Sequence, residues 1–230
     1  MTATIYIGSN KSGVTFCYAV YTTHVNICMA GQYFLDKILT SPVVQDPWQH
    51  QIIDDTIPTD VFGRLQSQCE QFLNMDNNGD LRFIFPDEFD QYGIDLYNEV
   101  YDIGKKILDN AKALVKDLYT NPRWYDSLTV YAHISITPPL PYKFDIHEEG
   151  LEKIWSAVTY VTPIKNIGTK MYSTKSKSSF VAEAQWKPNS TFVFCGEKGK
   201  TWHSYESSES TNRITLNYFI MSDKRGKRFI

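Results

Sequence analysis

Between about residues 59 and 119 apolar residues recur every three or four positions; from about residue 128 onward they alternate in short runs. Val61, Leu65, Cys69 and Phe72 fall on one helical face, just after Pro58 and Thr59. Thr59 or Asp60 suits the N-cap of that helix, and a short strand is expected ahead of it at 51–54. A longer stripe of Leu96, Val100, Ile103, Ile107, Leu114 and Leu118 predicts one amphipathic helix over 93–119, covering a sheet face. Beyond residue 128 the runs predict strands over 128–137, 141–147, 153–162, 168–173, 179–186, 190–195, 200–204 and 213–221. Short loops with Pro, Gly, Ser and Asn divide them. Strands in this number after helices imply an α+β, mainly β protein whose core is a sandwich or barrel such as a jelly roll.

Residues 1–47 are harder to read. "ATIYIGS", "VTFCYAVYTTHVNICMA" and "QYFLDKILTS" are β-prone or mixed, and "SPVVQDPW" has the composition of a connector. The expected organisation is an N-terminal extension (1–47) packed on a main domain (48–230). That domain has helical support over 59–119 and its β core over 128–221. A chain of 230 residues can bury such a core.

Composition sharpens this picture in a few places. The 15 Tyr, 13 Phe and 5 Trp favour half-buried pleated surfaces and strengthen the β assignment. A net charge of −3 gives no global reason to expect nucleic acid, and the basic run Lys224, Arg225, Lys227 and Arg228 reads as a solvated tail. Cys17, Cys28, Cys69 and Cys195 show no CxxC spacing, which argues against structural zinc. With no signal-peptide pattern and no apolar run of the ~18 residues needed to span a bilayer, a soluble protein of a reducing cytoplasm is expected, with no membrane partner. "NMDNNGDL" resembles the start of a calcium loop, but its Gly comes early and no closing Glu follows, so a polar turn is expected.

The chemistry concentrates around two of the five histidines. His147 ends a strand in "YKFDIHEEGLEKIWSAVTYV", where His147 and Glu149 can both turn inward as the chain bends. His203 lies in "TWHSY", on a strand able to face them. Two imidazoles and one carboxylate on one face of a metal form the facial triad of non-haem Fe(II) oxygenases, with the opposite positions open for co-substrate and O2. Glu148 and Asp145 are alternative sources of the carboxylate. Ten residues after His203, Arg213 opens a strand that alternates Arg213, Thr215 and Asn217 against Ile214, Leu216 and Tyr218. An inward Arg needs an anion, and a ligand carboxylate such as that of 2-oxoglutarate suits the guanidinium fork. His133, in "VYAHISIT", reads as a core or pocket-wall residue rather than a fourth ligand.

From about residue 50 to 221 the sequence resembles the Fe(II)- and 2-oxoglutarate-dependent dioxygenases, in their prolyl-hydroxylase-like branch with its small bacterial and phage members. The resemblance rests on "IHEEGLEKIWSAVTYVTP", "NIGTKMY", "QWKPNSTFVFCGEKGKTWHSY" and "NRITLNYFIM", in that order, with the two histidines 56 residues apart. It implies a double-stranded β-helix core braced by N-terminal helices. It also implies His147, Glu149 and His203 as iron ligands and Arg213 as the 2-oxoglutarate anchor; Thr215, Asn217 and Tyr131 are candidates for the co-substrate pocket from their strand positions alone. Glu149 departs from the Asp usual in this branch. The activity implied is hydroxylation of a peptidyl residue such as proline, or of a small metabolite, with release of succinate and CO2. A non-catalytic jelly-roll binding protein that keeps the metal site is the alternative. A zinc hydrolase using the same triad would leave Arg213 without a purpose.

Overall fold

The computed structural model of the chain describes residues 3–9, 15–21, 29–115, 128–150 and 152–222. The basic run at 224–228, the segment 119–127 and the side chains of Cys17 and Cys28 lie outside that description.

Strands β1 (Ala3–Ser9) and β2 (Thr15–Tyr21) pair antiparallel as a separate two-stranded sheet. Helix α1 (Ala30–Thr40) follows, then β3 (His50–Ile53) and α2 (Thr59–Cys69). Next come β4 (Arg82–Ile84), a 3-10 turn over Pro86–Tyr92, α3 (Tyr97–Asp109) and α4 (Ala111–Val115). Eight strands complete the chain: β5 (Thr129–Thr137), β6 (Lys143–His147), β7 (Lys153–Thr162), β8 (Thr169–Tyr172), β9 (Phe180–Ala184), β10 (Thr191–Cys195), β11 (Trp202–Glu206) and β12 (Arg213–Met221).

Those eight fall alternately into two antiparallel sheets. One runs β3-β10-β7-β12-β5-β4 and the other β6-β11-β8-β9. Successive strands thus cross from sheet to sheet, apart from the β8–β9 hairpin, which is the winding of a double-stranded β-helix. The major sheet is buried on both faces. Ile214, Leu216, Tyr218 and Ile220 of β12 point away from the barrel into a core shared with the helices, where Phe34, Leu65, Val100, Ile103 and Ile107 meet them. The other face of β12 looks into the barrel. A second apolar cluster, including Trp48, Tyr160, Met171, Trp186, Phe192 and Phe194, packs between the sheets.

The eight β-core strands form within a few residues of the predicted spans, because alternation survives wherever one face is buried against the helices and the other lines the barrel. Three expectations need correction. The stretch over 30–40, read as β-prone or mixed, is the helix α1: Phe34, Leu35 and Ile38 gather on one face against α3. Tertiary burial outweighs local preference there. The single helix over 93–119 is interrupted. A 3-10 turn precedes it, and α3 stops at Asn110, whose side-chain Nδ2 turns back to the carbonyl of Lys106 at 2.9 Å beside the last helical N–H bond. The short edge strand β4, inside the region expected to be helical support, had no alternating run to announce it. No helix among the described residues is long and apolar enough to cross a membrane.

Candidate functional site

β6 and β11 lie side by side in the minor sheet with His147 and His203 as register partners. Their rings sit 4.2 Å apart, and the chain just past β6 brings Glu149 beside them. One ligand atom from each of His147, Glu149 and His203 lies within 4.8 Å of the others, a group able to hold a metal ion. Both imidazoles are oriented the same way. Nδ1 of His147 donates to the carbonyl of Asp145 at 2.9 Å, and Nδ1 of His203 donates to that of Thr201 at 2.9 Å. With Nδ1 protonated, each Nε2 keeps its lone pair for a cation. Phe144 and Phe194 pack edge-on against the two rings.

Charge at this cluster follows from burial. His203 is pushed down to about 4 by burial and then by the neighbouring His147, so it stays neutral, as a metal ligand must. Burial would raise the Glu149 carboxyl, but the ammonium of Lys153 beside it outweighs burial and holds the group below the ordinary carboxylate range. The alternative acids are engaged or turned away. Glu148 accepts from the backbone N–H of Gly199, and Asp145 is exposed.

Across a cavity of about 170 Å3, Arg213 comes in from the first residue of β12. It is 3% exposed, and its Nε and Nη2 are buried with no hydrogen-bond partner. No carboxylate forms an ion pair with it among the described residues. Its guanidinium is instead surrounded by the rings of Trp186 (4.8 Å), Tyr205 (5.0 Å) and Tyr160 (5.5 Å). Those faces hold the cation without neutralising it, and burial pulls its pKa down. Unsatisfied donors on a buried cation are costly, and an anionic acceptor would satisfy them. This orphaned fork fits one carboxylate of 2-oxoglutarate, and the two imidazoles with one carboxylate fit a ferrous ion.

Thr215 and Asn217 line the same cavity, on the face of β12 that carries Arg213. Asn217 donates to Ser135 Oγ at 2.6 Å and to His133 Nε2 at 3.3 Å, while its own Oδ1 is buried without a partner. Tyr131 lies two residues before His133 on β5 and is not part of the cavity wall. His133 is a wall residue outside the metal-competent group, ringed by Phe83, Phe85 and Phe219. Sequence reasoning missed Lys153 and Phe219, although the alternation that selected Arg213, Thr215 and Asn217 reaches Phe219 next. It also missed Tyr160, Trp186 and Tyr205, which assemble around Arg213 only when three strands and a loop converge.

Solved structures share this architecture. A prolyl-4-hydroxylase from Pseudomonas putida matches with a TM-score of 0.51 at 13% identity, over 88% of this chain and 94% of that one. A prolyl hydroxylase from Trichoplax adhaerens, solved with a peptide fragment of the hypoxia inducible factor oxygen degradation domain, gives 0.50 at 10% identity, covering 89% and 95%. EvdO2 from Micromonospora carbonacea var. aurantiaca gives 0.51 at 12% identity, covering 83% and 90%. At such identities the likeness is one of fold, and at that level it meets the resemblance read from the motifs. No protein-family model and no curated protein matches the sequence.

Proposed function

We propose that this chain is an Fe(II)- and 2-oxoglutarate-dependent oxygenase. The observation that carries the proposal is the pairing, across one cavity, of a His147–Glu149–His203 cluster with the unpartnered guanidinium of Arg213. A metal hydrolase would need the first and not the second. A binding protein that had lost catalysis would gain nothing from burying an unpaired cation, which costs stability.

In this reading His147, Glu149 and His203 hold the metal by one face. Arg213 anchors the distal carboxylate of 2-oxoglutarate, and Thr215 and Asn217 form the wall beside it. The chemistry supplied by bound iron is O2 activation coupled to oxidative decarboxylation of 2-oxoglutarate, giving succinate, CO2 and a hydroxylated substrate. The protein's own part is to orient ligands through the two Nδ1 tethers and to exclude water with the rings of Phe144, Phe194 and Phe219. A peptidyl residue such as proline is the favoured substrate, supported by the prolyl hydroxylases of the same fold, one of them solved with a peptide. A cytoplasmic location belongs to the same proposal, in keeping with the free thiols of Cys69 and Cys195.

The test is anaerobic titration of the Fe(II)-loaded protein with 2-oxoglutarate. A weak visible charge-transfer band, lost in His203→Ala, supports the assignment. Iron binding without the band would move the hydrolase and binding-protein readings ahead.

A further inference from the structure

Glu149 divides its two carboxylate oxygens between different neighbours. Oε1 faces the imidazoles, 3.8 Å from His203 Nε2, with the hydroxyl of Ser156 3.5 Å away. Oε2 is taken by Lys153 Nζ at 2.8 Å. Lys153 is itself held in place. Its ammonium lies 3.9 Å from the centre of the Phe219 ring, and its backbone N–H bonds to the carbonyl of Gly150 at 2.9 Å, folding the start of β7 back over Glu149. Gly196 lets the end of β10 close on this turn. A Cβ there would stand 2.6 Å from the Lys153 carbonyl oxygen and 3.3 Å from Glu149 Cβ.

From this division we infer that Lys153 is a positioning residue that keeps Glu149 a one-oxygen ligand and so preserves the coordination position its second oxygen would take. The inference rests on the metal reading above. Carboxylates bind metal ions through one oxygen or both, and Glu has one more rotatable bond than Asp with which to swing into the two-oxygen pose. An octahedral ion with three protein donors keeps three open positions; a chelating Glu149 would leave two. A chelating co-substrate and O2 together need all three. Raw affinity is a poor explanation for Lys153, because an ammonium beside a cation repels it. The expected signature is therefore a change in the number of open positions without a loss of metal.

Mn(II), octahedral and paramagnetic, is the probe. Its affinity and the water-proton relaxation of the bound ion are measured in wild type, Lys153→Met, Lys153→Arg and His203→Ala, before and after adding 2-oxoglutarate. Lys153→Met is expected to bind Mn(II) at least as tightly as wild type, with relaxation lower by about one third as one of three waters is lost. Its 2-oxoglutarate affinity falls on the order of tenfold. Lys153→Arg restores both. Phe219→Leu, which removes the ring beneath the ammonium, is a second route to the same change should Lys153→Met fold poorly. Wild-type relaxation in Lys153→Met, or in Phe219→Leu if that variant stands in for it, overturns the inference. So does a Lys153→Arg that matches Lys153→Met. In those cases the metal reading survives if His203→Ala has lost the ion. Equal Mn(II) binding by wild type and His203→Ala would overturn both.

Discussion

His147 and His203 stand directly opposite each other across the β6–β11 pair, rings 4.2 Å apart, each tied by Nδ1 to the carbonyl two residues before it. Sheet register, rather than a flexible loop, sets the spacing of the two candidate ligands. His203→Ala should therefore remove metal binding with little effect on the fold. The loss of Mn(II) affinity, read by electron paramagnetic resonance, should exceed the roughly 10–100-fold typical of changes to residues behind the ligands.

Arg213 carries an opposite pair of consequences for binding and stability. On the proposed function, Arg213→Met removes a charge-assisted contact to 2-oxoglutarate worth about 1.5–3 kcal/mol, so its Kd should rise roughly 10–100-fold while metal affinity is spared. The same change relieves a buried, unpaired cation, and the melting temperature of the ligand-free protein should rise by a few degrees. Equal losses of metal and 2-oxoglutarate binding would mean that Arg213 is structural.

His133 makes ligand-free stability depend on pH. Burial, followed by the charge of Lys153, pushes it down to about 3 in the folded chain, against an ordinary value near 6.5. Below pH ~6.5 the unfolded chain binds a proton that the native state refuses, so this contribution is complete above that pH and is lost as pH falls toward about 3. Between pH 7 and pH 5 the loss is on the order of 2 kcal/mol. Urea midpoints should fall less over this range in His133→Phe than in wild type.

Two glycines should respond oppositely to alanine. At Gly31, in α1, a Cβ would lie 2.6 Å from the backbone oxygen of Asp102 on α3, so Gly31→Ala should destabilise by about 1–3 kcal/mol. At Gly63, in α2, a Cβ meets nothing within 4 Å, and Gly63→Ala should stabilise by roughly 0.5–1 kcal/mol. Thermal denaturation of the two single variants checks both signs.

The β core was legible because its signal is periodic and doubly enforced. Along β12, every second residue from Arg213 to Phe219 lines the cavity, while Ile214, Leu216, Tyr218 and Ile220 fill the core beneath the helices. A one-residue slip would exchange the two sets, so the alternation carries the register. Helix α1 was not legible, because its apolar face acquires meaning only against α3. The break at Asn110 was hidden for a related reason. An apolar stripe runs through it undisturbed, and a side-chain hydrogen bond to Lys106 marks the stop.

Which residues could do chemistry was readable from the chain: two imidazoles 56 positions apart, a carboxylate two after the first, and a guanidinium ten after the second. So was the strand face that Arg213 shares with Thr215 and Asn217. Tertiary structure alone decided that no protein acid forms an ion pair with Arg213 among the described residues, that three aromatic rings hold it instead, and that Lys153 takes one oxygen of Glu149 while the other faces His203. The physical reason is range. Period and spacing are local properties of the chain, whereas desolvation and ion pairing depend on groups brought together from distant segments by the closing of two sheets.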